Sequence, residues 1–356
     1  MRGFGSDNHS GVHPRILKAI EDANVGHAPS YGTDLITIRA SEIVKDHLGP
    51  NAETFFVFNG TAANVLCLSN CLKPYQSVLA SSHSHLFNDE CGALERAVGA
   101  RTIPVEVGPD AKLTVHALKR HLVRRGDQHH SQVRAISITQ PTELGTLYSI
   151  DEIQAISHFA KENNLLLHMD GARLVNAAAS LNTTLRALTT DCGVDVLSLG
   201  GTKNGLLFGE AVVFLRPGLS QDFKYQRKQL MQLPSKTRFI AAQFVEFLGT
   251  DLWLENAHHA NAMALKLYEE LKNASSAVEI QHRPQSNAVF ARFPRSWVSK
   301  LRETAFFYVW DEHTFVCRLM TTWDTQLEDI ERFIARVREL DSLGTQERPG
   351  GSFTHR

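Results

Sequence analysis

Asp195-Val196-Leu197-Ser198-Leu199-Gly200-Gly201-Thr202-Lys203-Asn204-Gly205 is the stretch on which the reading of this chain turns. Val194, Val196, Leu197 and Leu199 form a short apolar run that reads as a buried strand. Gly200 and Gly201 end it, and Gly205 closes the turn that follows. One lysine sits in that turn, with no acid inside the turn itself. Glycines on both sides let another group approach the backbone closely. Lys203 is therefore either a solvated turn residue or a desolvated amine. Desolvation favours the neutral, nucleophilic form that a Schiff base needs.

Working outward, the pattern of that strand repeats. Strands are expected at residues 54–58, 77–80, 101–105, 134–139, 165–169 and 211–215, with 194–199 among them. Helical patterns lie between most of them, at 62–72, 115–124 and 150–162 for example. Upstream, Pro14 opens a helix with an apolar stripe of Ile16, Leu17 and Ile20, and Asp34 caps a helix running to about residue 47. Strand–helix alternation of this kind implies an α/β fold, a mostly parallel sheet with helices on both faces. Residues 221–247 read as a helical pair broken near Pro234, and 253–273 as one long helix bridging to a second domain. Strands at 288–293 and 314–319 and a helix at 327–340 complete a smaller α+β domain. The expected division is an N-terminal arm at 1–12, a large domain at 13–250, a small domain at 251–343 and a disordered tail at 344–356. The arm is a candidate to pack with the small domain.

The chain of 356 residues is 43% hydrophobic and 21% charged, enough apolar content for a full core. Its formal net charge of −1 gives no general reason to expect nucleic acid or an anionic membrane as partner. No apolar run approaches a membrane span. The N-terminus lacks an apolar signal core, so the expectation is an intracellular, cytoplasmic enzyme. Five cysteines without C-x-x-C spacing read as reduced thiols rather than a disulfide or zinc framework. The paired histidines His129-His130 and His258-His259 read as surface residues, and no metal site is expected.

Four further places bear chemistry. Gly60-Thr61 follows a strand and opens a helix, so free amides, the helix dipole and the Thr61 hydroxyl suit a phosphate; an ordinary capped turn is the plain alternative. His85 lies in a loop after the strand at 77–80, where α/β folds place their sites, while His83 reads as a surface residue. The apolar strand at 165–169 delivers Asp170, whose carboxylate there needs a cation or strong hydrogen bonds. Arg173, one turn on, either serves a ligand oxygen or pairs with Asp170. Arg318 interrupts the apolar run Phe315-Val316-Cys317-Arg318-Leu319-Met320, which is costly unless it meets an anion. A substrate carboxylate fits its bidentate fork, and an internal salt bridge is the alternative.

Together, Asn59-Gly60-Thr61, His85, Asp170-Gly171-Ala172-Arg173 and Gly201-Thr202-Lys203-Asn204-Gly205 resemble the pyridoxal-phosphate enzymes of the aspartate-aminotransferase fold, fold type I. Within them the chain is similar to the threonine aldolase and β-eliminating lyase family, over roughly residues 5–340. The order and spacing of the set are specific, although no single motif is. The resemblance implies that Lys203 carries pyridoxal 5′-phosphate as a Schiff base. It implies that Asp170 keeps the pyridine nitrogen protonated, that His85 stacks on the ring and that Arg173 lies near the phenolate or the substrate. It assigns the phosphate to Gly60 and Thr61, and the substrate carboxylate to Arg318 and Ser6. It also implies a homodimer or homotetramer with sites at the subunit interface, where Tyr31 and Arg238 reach across, Arg238 toward the neighbour's phosphate.

Two departures from the family stand out. Many threonine aldolases carry a histidine after the central strand, where this chain has Ile138-Thr139-Gln140-Pro141-Thr142-Glu143. The Gly-Gly-Thr-Lys-Asn-Gly loop also differs from the common Ser-Lys form, and is similar to the branch of phenylserine-type and low-specificity L-threonine aldolases. The expected reaction is retro-aldol cleavage of L-β-hydroxy-α-amino acids to glycine and an aldehyde, with His85 or a group near Glu90 as base. The alternatives are β-elimination, amino-acid racemisation, or a catalytically silent homologue that acts as a binding partner. Hydride transfer is disfavoured, because no G-x-G-x-x-G follows a first strand.

Overall fold

The computed structural model describes residues 2–346. The chain divides into two compact units, one of Gly11–His258 and one of Met1–Ser10 with His259–Arg356. The division falls inside the helix Leu252–Ala274 rather than at residue 250.

The larger unit is built on seven strands: β1 (Glu53–Val57), β2 (Gln76–Ser81), β3 (Arg101–Val105), β4 (Gln132–Thr139), β5 (Leu166–Gly171), β6 (Val196–Leu199) and β7 (Glu210–Phe214). They lie in the order β1-β7-β6-β5-β4-β2-β3. Pairings from β3 through β6 are parallel, whereas β7 runs antiparallel to both β6 and β1. The reversal follows from chain length. Only residues 200–209 separate β6 from β7, too few for the crossover helix that a parallel return needs. The sheet is thus mostly parallel, as expected.

Its central strands are buried on both faces, which is why they read as continuous apolar runs. Leu167, Met169, Leu197 and Leu199 enter one core with Phe244 and Phe247, while Val196 enters another with Ala63, Leu66 and Cys67 of the helix Gly60–Ser69. Strand alternation puts His168, Asp170 and Ser198 on this second face, toward that helix. Asp170 lies opposite Ser198 in the β5–β6 register.

The smaller unit holds an antiparallel sheet of β8 (Glu279–Ile280), β9 (Ala288–Arg292), β10 (Tyr308–Asp311) and β11 (Val316–Met320), in the order β10-β11-β9-β8. Phe4, Phe293, Phe307, Leu319 and Phe333 fill its core. Residue 4 is tied in by its backbone: its N–H donates to Phe306 O at 2.7 Å, and its carbonyl accepts from Met320 N at 2.8 Å.

Several expectations need correction. The helix expected at 115–124 stops at Lys119, in Val115–Lys119. Leu17 is exposed, so the stripe of the helix Pro14–Asp22 is Ile16 with a half-buried Ile20. The helix expected from residue 62 begins at Gly60. The short strands β8 and β10 and the helix Arg295–Thr304 were not expected. The final helix runs Leu327–Gln346, so residues 344–346 are helical where a disordered tail was expected; the rest of that tail, 347–356, lies outside the described residues. Among the described residues no helix is long and apolar enough to cross a membrane.

Candidate active site

The carboxyl ends of β4, β5 and β6 and the start of the helix Gly60–Ser69 surround a cavity. Gly60, His85, Asp170, Arg173 and Lys203 all line it. Five of the residues read from the sequence are therefore brought together by the larger unit alone.

Two glycines make the junction possible. A Cβ on Gly200 would lie 2.3 Å from the Ala172 carbonyl oxygen, so the loops after β5 and β6 can touch only with glycine there. Gly205 has φ +101°, and it turns the chain back after the single 3₁₀ turn Thr202–Asn204 that carries Lys203. Lys203 is half-buried.

Asp170 is buried, and both its oxygens are used. Oδ2 accepts from Asn64 Nδ2 at 2.8 Å and Oδ1 from Ala172 N at 3.0 Å. Burial pushes this carboxyl up. Attraction to Lys203 and these two hydrogen bonds, with His85 adding, outweigh it and hold Asp170 below the ordinary carboxylate range.

His85 opens the short helix His85–Asn88, capped by Ser84. Its Nδ1 lies 3.0 Å from Glu90 Oε1. That hydrogen bond raises the pKa of His85 against the opposing effect of burial, with Asp170 and Glu143 adding. Burial raises Glu90 in turn, against the hydrogen bonds from His85 and Asn64. His83 is exposed, as expected.

At the helix N-terminus the Asn59 side chain accepts from Ala62 N at 2.9 Å. This leaves the first-turn amides of Gly60 and Thr61, which a helix cannot satisfy internally, open to an anion. Arg173 is the N-cap residue of the helix Leu174–Leu181. Glu143 and Pro141, in the segment that follows β4, also line the cavity.

Tyr31, Arg238, Arg318 and Ser6 are not among the residues that line the cavity. In the larger unit, Tyr31 is exposed with φ +62°, and its N–H donates to Ser235 O at 2.9 Å. Arg238 opens the helix Arg238–Leu248, and its guanidinium donates to Gly26 O at 3.4 Å. Neither lines the cavity. In the smaller unit, Arg318 is buried on β11, its guanidinium 4.3 Å from the Trp310 ring centre and its Nη2 3.5 Å from Gly5 O. Ser6 is next in the chain and caps the turn Asp7–His9. Arg318 and Ser6 are thus neighbours within that unit.

Sequence reasoning missed Asn64, Ser198 and Glu210. Glu210 is buried at the start of β7, lines the cavity and accepts from Gly201 N at 2.8 Å. Burial drives it up to about 7, against hydrogen bonds from Thr202 and Gly201 and attraction to Lys203. An isolated Glu before an apolar strand carries no signal of this kind. Asn64 and Ser198 are single polar residues on apolar elements, and it is the β5–β6 register and the facing helix that bring them to Asp170.

Residues 3–294 match the family described as beta-eliminating lyase. The chain belongs to that family. This lyase-family chain is 40% identical over 341 residues to the low-specificity L-threonine aldolase of Pseudomonas aeruginosa, spanning 95% of each. It is 39% identical to the corresponding enzyme of a Pseudomonas species, over 95% of this chain and 98% of the relative. Among solved structures, the threonine aldolase of Leishmania major matches with a TM-score of 0.89 and 29% identity, over 96% of this chain and 99% of that one. Pyridoxal phosphate is the cofactor of the family, and the lyase site fits it. The cavity wall offers one amine, a buried carboxylate held ionised to face a protonated ring nitrogen, and a helix N-terminus for a phosphate.

Proposed function

We propose that this chain cleaves L-β-hydroxy-α-amino acids, threonine, allo-threonine and phenylserine among them, to glycine and an aldehyde. The observation that carries this reading is the cavity shared by Lys203, Asp170 and the His85–Glu90 pair. Full-length likeness to two low-specificity L-threonine aldolases supports the choice of bond over elimination or racemisation. When bound, pyridoxal phosphate supplies the electron sink for the pair left at Cα.

The chain's own residues do the rest. Lys203 is the amine that would hold the cofactor. Asp170 keeps the ring nitrogen protonated. Gly60 and Thr61 hold the phosphate. Arg173 serves the ring oxygen or the substrate. Arg318 and Ser6 take the substrate carboxylate, a role supported by the burial of Arg318 and its closeness to Gly5 O. His85 receives the β-hydroxyl proton, its basicity raised by Glu90.

Tyr31 and Arg238, off the cavity in their own chain, complete the site of a second copy in a homodimer or homotetramer. The cytoplasm suits the reduced cysteines, since Cys67, Cys71, Cys91, Cys192 and Cys317 are all unbridged.

The test of the reaction is product analysis. Holoenzyme given threonine and phenylserine should yield glycine with acetaldehyde or benzaldehyde in equal amounts. A 2-oxo acid as main product would assign elimination instead. The shared site is tested by mixing Lys203→Ala with Arg238→Ala subunits. Each is expected to be inactive alone, and hybrids should regain activity because one site is then intact. Absence of recovery after proven subunit exchange would refute the crossing role.

A further inference from the structure

Between the sheet and the helix Gly60–Ser69 runs a continuous buried chain of polar groups. Glu90 Oε1 faces both His85 Nδ1 at 3.0 Å and Asn64 Nδ2 at 2.8 Å. The same Asn64 nitrogen lies 2.8 Å from Asp170 Oδ2. On its other side, Asn64 Oδ1 accepts from Ser198 Oγ at 2.5 Å. Ser198 Oγ is 3.3 Å from His168 Nε2, and His168 Nδ1 is 2.9 Å from Ser137 Oγ. Asn64, Ser198, His168, Ser137 and the Glu90 side chain are all buried, so bulk water does not settle their protons.

The bonding partners settle them. The opposite flip of the Asn64 amide would turn its oxygen toward two carboxyl groups, so Asn64 must donate both amide protons, one to Glu90 and one to Asp170. Its oxygen then requires the Ser198 hydroxyl proton. Ser198 in turn accepts from His168 Nε2–H, and His168 Nδ1 accepts from Ser137. This agrees with a neutral His168, which burial pushes down to about 4. At the other end, Glu90 Oε1 already accepts from Asn64 and accepts again from His85. The proton of His85 therefore sits on Nδ1, and Nε2 is the ring nitrogen left to accept.

We propose that Asn64 is the positioning residue of this site. By donating to Asp170 and Glu90 together, it fixes one arrangement of protons that keeps the ring-side acid ionised and leaves His85 Nε2 bare. Asn64 touches neither role directly; it acts through Asp170 and through Glu90. The proposal rests on the aldolase reading for the use made of His85, although the proton arrangement itself does not depend on it.

The charged and titratable groups facing this chain include Glu90, Asp170 and Glu143 toward His85, Lys203 and His168 toward Asp170, and the Cys67 thiol toward Ser198 and Asp170. Asn64 bonds to both carboxyls. Without its N–H, burial would leave Glu90 holding its own proton, and the main cause of the raised His85 pKa would be gone.

The test uses the ring-nitrogen NMR shifts of His85 in the cofactor-free protein, assigned by comparison with His85→Gln and followed against pH. Wild type should show hydrogen on Nδ1 and a titration midpoint above that of an ordinary histidine. Asn64→Leu should lower the midpoint by about one pH unit, a tenfold loss of proton affinity. Ser198→Ala, which removes the hydroxyl that donates to the Asn64 oxygen and so loosens the amide but keeps every charged group, should shift it the same way and less. An unchanged midpoint and tautomer in folded Asn64→Leu would overturn the proposal. If Asn64→Leu does not fold, an unchanged Ser198→Ala would do so. A wild type that shows this titration yet releases no glycine from threonine or phenylserine would refute the aldolase reading and leave the role of Asn64 standing.

Discussion

The carboxyl end of β5 and the amino end of β7 each bury an acid beside the same cavity, and the two acids part ways. Asp170 is held below the ordinary carboxylate range, whereas Glu210 is driven up to about 7. Burial acts on both in the same direction and is the largest influence on each. Both also accept hydrogen bonds, Asp170 from Asn64 and Ala172, Glu210 from Thr202 and Gly201. The difference lies in the cation. Lys203 is the strongest opposition to burial at Asp170, but at Glu210 it ranks behind the Thr202 hydroxyl and the Gly201 N–H. At Glu210 the hydrogen bonds and a weaker pull from Lys203 do not offset burial; at Asp170 a stronger pull from Lys203, together with two hydrogen bonds, does. On the proposed reading, the one permanent anion, set opposite a protonated ring nitrogen, is the acid on which the lysine's charge acts most strongly.

Removing that charge breaks the comparison most severely. Lys203→Ala should abolish cleavage of threonine and phenylserine, since no other amine lines the cavity among the described residues. It should also raise the pKa of Asp170 more than that of Glu210, read by carboxyl-carbon NMR of the cofactor-free variant. Substantial multiple turnover by Lys203→Ala without added amine would refute the assignment of the lysine.

Asp170→Asn attacks the other side. An amide cannot stabilise a ring cation as a carboxylate does, so kcat should fall about 10³-fold while the cofactor stays bound. The substitution also sets an amide where Asn64 and Ala172 both donate. One of those N–H groups then faces the new NH2, a cost of about 1–3 kcal/mol in unfolding free energy. Near-normal turnover in this variant would make Asp170 a structural residue.

How much of this was legible beforehand depended on which period carried the information. The sheet was readable because buried parallel strands are apolar throughout, and the lysine turn because glycines flank it. Asp170 stood out as a charge ending an apolar strand. Asn64 and Ser198 did not, because each is one polar residue on an element judged by its apolar neighbours; only the β5–β6 register and the facing helix show that they meet Asp170. Glu210 was hidden for another reason. Its partners, Gly201 and Thr202, belong to the lysine loop that was read first, but their bonds to it exist only once β7 folds back antiparallel on β6. The small unit's extra strands β8 and β10 are two and four residues long, too short to show alternation.

The finest test of the contrast is the dependence of stability on pH. Burial pushes Glu210 up to about 7 in the folded chain, from an ordinary carboxyl value of 4.5 when unfolded. Between those values the folded state binds a proton that the unfolded state has released. Its contribution is therefore fully present below about pH 4.5 and is lost as pH rises through 7, a decline of about 3 kcal/mol in all. Asp170 works with the opposite sign. Its pKa is lowered on folding, so its contribution is present above the unfolded value of 3.8 and is lost only as pH falls through the folded pKa. From pH 5 to 8 Asp170 adds no slope, and the difference between wild type and Glu210→Gln isolates Glu210. Glutamine keeps the size of the side chain and an oxygen for Gly201 N–H. Urea unfolding at a series of pH values should show wild type losing stability across this range relative to Glu210→Gln. Parallel curves would mean that Glu210 is ionised in the folded state at neutral pH. Lys203 would then act on both acids alike, and the contrast between the two strand ends would be lost.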